Sequence, residues 1–282
     1  MGAGEWARIA NGVGGCDDEG AMRLSDLMHE DGYPRAPTQE QWDRLSSEER
    51  QTVVDVLPGE VTDAEQAMPE GDRHFRPKVQ ALDALRGHFN RLRRQVHVAS
   101  ELPIYYPGAR RFAPDLLVVF DVEDHARDKF VVSHEGKGLD WVMEVHVGGD
   151  RKKDAVLNVE RYASLGIPEY FIFDGGRHEL LGFRLSEDGG RYVPIPSKGG
   201  RLSSRSLGLD LHVEDGRLRF LHGNGLVLES SELIQRLETQ MEELRTRAEA
   251  EQAMVESTRL RNQELERRLA EAQKELEQLR RR

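Results

Sequence analysis

The sequence predicts a mixed α/β fold in which helices flank a mixed β-sheet and a coiled-coil helix follows at the C-terminal end. The sheet is indicated by short runs rich in apolar and β-branched residues and by a strand–helix–strand succession between Leu139 and Asp174. The last part stands apart because residues 231–282 contain no Gly, Pro or aromatic residue. We therefore expect three parts: a flexible acidic arm over residues 1–34, a domain over residues 35–228 and a coiled coil over residues 229–282.

Charge is unevenly distributed along this chain of 282 residues, whose formal net charge is -11. Residues 1–75 hold 6 basic and 17 acidic residues, residues 76–228 hold 23 and 21, and residues 229–282 hold 11 and 13. The acidity is thus N-terminal and the middle is slightly basic, which leaves nucleic acid open as a partner.

The cellular compartment is indicated by three features that the sequence lacks: a disulfide, a membrane span and a signal peptide. Cys16 is the single cysteine, so no intrachain disulfide can form. No run is long enough to span a bilayer, and the first residues lack the apolar region of a signal peptide. We expect a cytoplasmic protein with no membrane partner.

The N-terminal half shows clear helix signals. Thr38 with Gln41 and Ser46 with Glu49 fit the capping-box pattern, which predicts two short helices ending near Leu57. A longer helix is predicted over residues 76–95. Its apolar stripe at helical spacing consists of Val79, Leu82, Leu85, Phe89 and Leu92.

Strands and turns dominate the rest of the domain. A helix over residues 152–165 is predicted to end at Gly166, a residue type typical after a helix C-terminus. A polar loop is predicted over residues 123–139. The predicted strands are 96–106, 112–122, 139–147, 169–174, the hairpin of 179–185 with 192–195, and 209–213 and 218–221.

The C-terminal segment fits one heptad register throughout. Asn262 at an a position is typical of two-stranded coiled coils, so we expect a homodimer through residues 231–282; a single charged helix is the alternative. The a positions are Ile234, Met241, Ala248, Val255, Asn262, Leu269 and Leu276. The d positions are Leu237, Leu244, Glu251, Thr258, Leu265, Ala272 and Leu279.

Two carboxylates lie inside apolar strands, where an unpaired acid is costly. Asp115 begins one strand after Pro114, and Glu144 lies among apolar neighbours in the next. Acids on neighbouring strands suggest a Mg²⁺ site, with Mn²⁺ as an alternative and the Val145 carbonyl as a further ligand. Asp115 as a strand-end acid that caps a turn is the alternative interpretation.

A third side chain is expected close to these acids. His146 has the same strand parity as Glu144, so both should face one side of the sheet. Glu60 and Glu101 are weaker candidates for an additional carboxylate.

These residues resemble the Uma-type putative restriction endonucleases of the PD-(D/E)XK nuclease superfamily. The resemblance covers roughly residues 38–185. It is carried by Pro114-Asp115, Glu144-Val145, Asp154, Tyr162, the Gly166 to Tyr170 stretch and Asp174, with His74 at a position where the family often has histidine.

The resemblance implies a restriction-endonuclease-like fold and Mg²⁺-dependent DNA cleavage with Asp115 and Glu144 as metal ligands. The superfamily lysine two residues after the glutamate is His146 here. The family usually has a lysine on the next helix instead, at the position of Asn158. Of the nearby lysines, Lys152 and Lys153, we select Lys153 as the catalytic candidate.

Two functions from different classes follow. The first is a metal-dependent DNA endonuclease, dimerised by its coiled coil, in which Asp115, Glu144, His146 and Lys153 carry the catalysis. The second is a catalytically weak or inactive nuclease-fold scaffold that recruits a partner through the coiled coil. A small-molecule hydrolase using the same two acids is a third interpretation.

Overall fold

The computed structural model describes residues 22–60, 71–147 and 151–281, without the side chains of residues 151–156. It divides into two units, residues 1–229 and 230–282. The helices are α1 (Gln39–Arg44), α2 (Ser47–Val56), α3 (Asp72–Arg91), α4 (Val132–Glu135), α5 (Arg151–Ser164) and α6 (Ser230–Arg280). The strands are β1 (Val96–Ala99), β2 (Ile104–Tyr105), β3 (Leu116–Phe120), β4 (Phe130–Val131), β5 (Trp141–His146), β6 (Glu169–Asp174), β7 (Glu179–Leu185), β8 (Tyr192–Pro194), β9 (Arg201–Ser204), β10 (Leu209–Glu214), β11 (Arg217–His222) and β12 (Gly225–Leu226).

A six-stranded mixed sheet forms the centre of the first unit, in the order β1-β3-β5-β6-β7-β8. Its β5 and β6 run parallel and are joined by α5, as the predicted strand–helix–strand unit requires. All other neighbours in this sheet are antiparallel. The prediction of a mixed sheet flanked by helices is confirmed.

Each face of this sheet packs against different elements. One face contacts α3 and the four-stranded sheet β12-β11-β10-β9, through residues such as Leu85, Met143 and Phe220. The other face contacts α5 and the β2–β4 pair, through residues such as Tyr162 and Phe130. Strands β1, β3, β5 and β6 are therefore buried on both faces, which explains their nearly continuous apolar sequences.

The capping boxes at Thr38 and Ser46 form as predicted, and each hydroxyl accepts a bond from the backbone N–H three residues on. Gly166 has a φ of 73°, which is the left-handed conformation expected just beyond α5. Local sequence signals were sufficient at these positions because the bonds involved join residues close in sequence.

Several predicted elements were wrong. The strand predicted over residues 96–106 is two strands, because Glu101 adopts a φ of 55° and interrupts it. The polar loop predicted over residues 123–139 contains β4 and α4, and Phe130 is fully buried. The strands 201–204 and 225–226 were not predicted.

The helix α3 begins four residues earlier than predicted, so Pro77 lies inside it. The predicted apolar stripe is only partly correct, since Val79 is 44% and Leu92 54% exposed. The buried face instead includes three polar residues, His74, Lys78 and His88. Two of these residues, His74 and Lys78, contact Asp115.

The arm predicted over residues 1–34 lies outside the described residues up to position 21. Beyond it, Leu24–Leu27 form a turn of 3-10 helix, and Leu27 is buried with Trp42 and Val53. Leu27 thus packs on the domain, and the flexible arm stays a prediction.

Candidate active site

The two predicted acids meet at one edge of the central sheet. In the antiparallel β3–β5 pair Leu116 lies opposite Met143, so the next position of this register places Asp115 opposite Glu144. Directly opposed residues point to the same face of a sheet. The Asp115 N–H lies 3.3 Å from Glu144 Oε2, to which it donates. The predicted convergence of Asp115 and Glu144 is therefore seen in the geometry.

Asp115 is held from three directions. Its Oδ2 accepts a bond from the Val145 N–H at 2.8 Å and lies 3.3 Å from His74 Nε2. Its Oδ1 lies 3.3 Å from Lys78 Nζ. Burial alone would raise the pKa of Asp115, but these hydrogen bonds and the nearby positive charges outweigh it and lower the pKa. Asp115 is therefore ionised at neutral pH.

Glu144 has the opposite electrostatic character. Burial and then the Asp115 charge raise its pKa to about 8. Its Oε1 accepts a bond from the Tyr162 hydroxyl at 2.6 Å. Burial also raises the pKa of Tyr162 well above its usual value, so that hydroxyl stays a donor. Without a cation, the pair therefore holds one charged and one protonated acid at pH 7.

Helix α3 contributes the side chains that the sequence interpretation did not assign to the site. His74 and Lys78 are four residues apart and so lie on one face of the helix, which they share with the buried Leu85. Lys78 is 5% exposed. The predicted apolar stripe included Val79, which is exposed, and left out its neighbour Lys78, which is buried. The stripe therefore could not predict that Lys78 lies near Asp115.

The loop after β1 completes this edge. The Ser100 hydroxyl donates to the Asp115 carbonyl at 2.7 Å, and the Glu101 N–H donates to the Pro114 carbonyl at 3.0 Å. Glu101 also forms an ion pair with Lys78. Burial alone would lower the pKa of Lys78, but Glu101 and Asp115 together raise it, so the amine is an ammonium.

The remaining predicted residues differ in what the structure describes. His146 is partly exposed at the end of β5, and its carbonyl accepts a bond from the Gly175 N–H at 2.9 Å. The side chain of Lys153 lies outside the described residues. Asn158 is partly exposed on α5, one turn before Tyr162.

No group of three or more His, Cys, Asp or Glu side chains within the described ranges is arranged to hold a metal ion. Any cation at this edge would thus rest on two acidic side chains together with backbone oxygen and water. That number of carboxylates is normal for Mg²⁺, which retains several waters.

Comparison with known families supplies the identification. Residues 39–214 match the family model Uma2, described as a putative restriction endonuclease. The chain belongs to this family. The Uma2 match spans the central sheet, both acids and α3, and it confirms the family resemblance drawn from the sequence.

Further comparisons add little to the Uma2 assignment. No curated protein matches the chain. One similar solved structure is the crystal structure of a putative nuclease belonging to DUF820 from Anabaena variabilis ATCC 29413, with 14% identity and a TM-score of 0.40. The match covers 50% of this chain and 76% of that one, and at this TM-score it carries no argument. No helix in the described part of the chain is long and apolar enough to cross a membrane.

Proposed function

We propose that this protein is a Mg²⁺-dependent endodeoxyribonuclease that hydrolyses phosphodiester bonds in DNA. The observation that carries the proposal is the direct opposition of Asp115 and Glu144 at one sheet edge, inside a chain of a restriction endonuclease family. Fold membership alone does not establish activity, whereas the placement of these two side chains supports it.

The donor set fits a hard divalent cation. Asp115 and Glu144 offer carboxylate oxygens, which Mg²⁺ prefers. The Val145 N–H points toward Asp115, and the N–H and C=O of one strand residue point to the same side. The Val145 carbonyl is therefore available as a third oxygen, and Mn²⁺ would fit the same donors.

The surrounding residues prepare these ligands. Tyr162 fixes one Glu144 oxygen, while the Val145 N–H fixes one Asp115 oxygen, so neither carboxylate rotates freely. When bound, a divalent cation supplies Lewis-acid polarisation of a phosphoryl oxygen and lowers the pKa of a water. We assign His146 and Lys153 to assist, by orienting the attacking water and by offsetting negative charge on the phosphate.

A plasmid-nicking assay tests the proposal. Wild-type protein with Mg²⁺ or Mn²⁺ should convert supercoiled DNA to nicked and linear forms, and Asp115→Ala and Glu144→Ala should lose this conversion. Asp140→Asn is the matched control, because Asp140 accepts a 2.8 Å bond from the Phe120 N–H at the opposite end of the same strand pair. Wild-type protein without cleavage would favour the inactive scaffold instead.

We also propose that α6 forms a homodimeric coiled coil. The helix spans 51 residues and buries none of them in the single chain. Its exposed large apolar residues coincide largely with the a and d positions of the heptad, including Leu244 and Leu265, which are 66% and 55% exposed. An apolar stripe with this spacing is typical of a helix that packs against another helix. A dimer would bring two nuclease sites to the two strands of one DNA duplex.

Two matched substitutions test the dimer. Leu265→Glu places a charge at a d position, whereas Leu260→Glu places the same charge at an f position of similar exposure, 57%. Sedimentation equilibrium should give a dimer for wild type and Leu260→Glu and a monomer for Leu265→Glu. A monomeric wild type, or equal effects of both substitutions, would contradict the proposal.

A further inference from the structure

The burial of Lys78 needs an explanation beyond stability. Lysine is almost never fully buried unless paired, and this one is 5% exposed on α3. A buried ion pair is commonly no more stabilising than apolar residues of similar size. Folding alone therefore does not account for an ammonium at this point of the core edge.

The position of Lys78 relative to the acids is specific. Its Nζ lies 3.3 Å from Asp115 Oδ1. The Val145 N–H and His74 contact the other carboxylate oxygen, Oδ2. On its other side it pairs with Glu101, whose carboxylate is 60% exposed. The ammonium thus lies between a proposed metal ligand and the solvent-facing edge of the site.

The backbone around Glu101 is arranged to make this contact. Glu101 adopts a φ of 55°, which is unfavourable for a residue other than glycine. Bonds from the Glu101 N–H to the Pro114 carbonyl and from Ser100 to the Asp115 carbonyl tie this loop to the start of β3. The strained residue is thereby held against the same segment that carries Asp115.

We propose that Lys78 is a catalytic residue that supplies the ammonium which the superfamily carries two residues after its second acid, where this chain has His146. The inference rests on the proposed nuclease function. During hydrolysis a water oxygen forms a bond to phosphorus and the bond from phosphorus to the leaving oxygen breaks. The water's proton passes to solvent, and the leaving oxygen takes a proton from solvent. The Lys78 ammonium contacts a non-bridging phosphoryl oxygen and stabilises its developing negative charge.

Lys78 on α3 can supply the ammonium although α5, the helix on which the family usually has its lysine, has Asn158 at that position. Asn158, at the family's usual lysine position, lies one turn before Tyr162 and on the same face of α5. Position 158 thus lies beside Tyr162, which donates to Glu144, whereas Lys78 contacts Asp115.

The test compares two lysine-to-methionine variants in single-turnover cleavage of a DNA duplex. Lys78→Met should slow cleavage by about 10²–10³-fold. Lys137→Met is the matched control, because Lys137 pairs with Asp140 at 3.1 Å at the opposite end of the strand pair, and should cleave at the wild-type rate. A Lys78→Met variant that cleaves at the wild-type rate, or a Lys137→Met variant that is slowed equally, overturns the inference.

Two further measurements separate catalysis from folding and from metal binding. Equilibrium dialysis of Mn²⁺ should show that Lys78→Met binds the ion at least as tightly as wild type, and a clear loss of binding would refute a catalytic role. The double variant Lys78→Met, Asn158→Lys should recover part of the cleavage rate. Failure of wild type to cleave at all would instead reject the proposed function, and the inference with it.

Discussion

The protonation of Glu144 gives a quantitative prediction about stability. In the metal-free protein its pKa is raised from 4.5 to about 8 by burial and by the Asp115 charge. Below pH 4.5 both folded and unfolded chains hold this proton. Between pH 4.5 and 8 the unfolded chain releases it while the folded chain retains it, so the free energy of unfolding falls as pH rises.

The size of this effect follows from the pKa difference. Each pH unit within the window changes the free energy of unfolding by at most about 1.4 kcal/mol. Between pH 5 and pH 8 the loss thus amounts to about 4 kcal/mol at most. Glu144→Gln replaces the acid by a neutral amide of the same shape, so the variant lacks this pH dependence.

Urea denaturation in EDTA at pH 5, 6, 7 and 8 measures the difference between wild type and Glu144→Gln. Trp42 and Trp141 are buried in the first unit and α6 has no tryptophan, so fluorescence reports on the nuclease domain. Subtracting the two proteins removes the contributions of other groups, such as His88 and His97, whose pKa values burial lowers. The variant should gain stability relative to wild type as pH rises. A difference that stays constant across the range would refute the assignment of a protonated Glu144.

Other predictions concern the same pair of acids. The apparent affinity for Mn²⁺ should increase by up to about tenfold for each pH unit between pH 6 and 8, because binding must displace the Glu144 proton; calorimetry in buffers of different ionisation enthalpy should detect the released proton. A pH-independent affinity would contradict this. Tyr162→Phe removes the 2.6 Å bond to Glu144 and should weaken Mn²⁺ binding by about 10–100-fold, as measured by equilibrium dialysis, while circular dichroism stays unchanged. Unchanged binding would show that Tyr162 only packs.

The convergence of Asp115 and Glu144 could be predicted because the signal of each acid is local. An acid embedded in an apolar strand stands out at Asp115 and at Glu144, and the order of strands brought them together. The unit from β5 through α5 to β6 was predictable for the same reason, since its periodicity and its C-terminal Gly166 are contained in one continuous stretch.

The contribution of α3 was not predictable in this way. Lys78 contacts Asp115 across 37 positions of sequence, and its neighbours Phe75 and Val79 are exposed although they are apolar. An apolar stripe identifies the most hydrophobic face of a helix, whereas His74 and Lys78 of α3 are buried in contact with a carboxylate, that of Asp115. Pairing between charges far apart in sequence depends on tertiary structure and produces no periodic pattern in the sequence.

Anomalous diffraction from crystals grown with Mn²⁺ would locate the cation directly. We predict a Mn²⁺ peak between the carboxylates of Asp115 and Glu144, with the Lys78 amine beside it. A map with no peak at this position, or a peak bound only by other residues, would contradict a metal-dependent nuclease site built on these two acids.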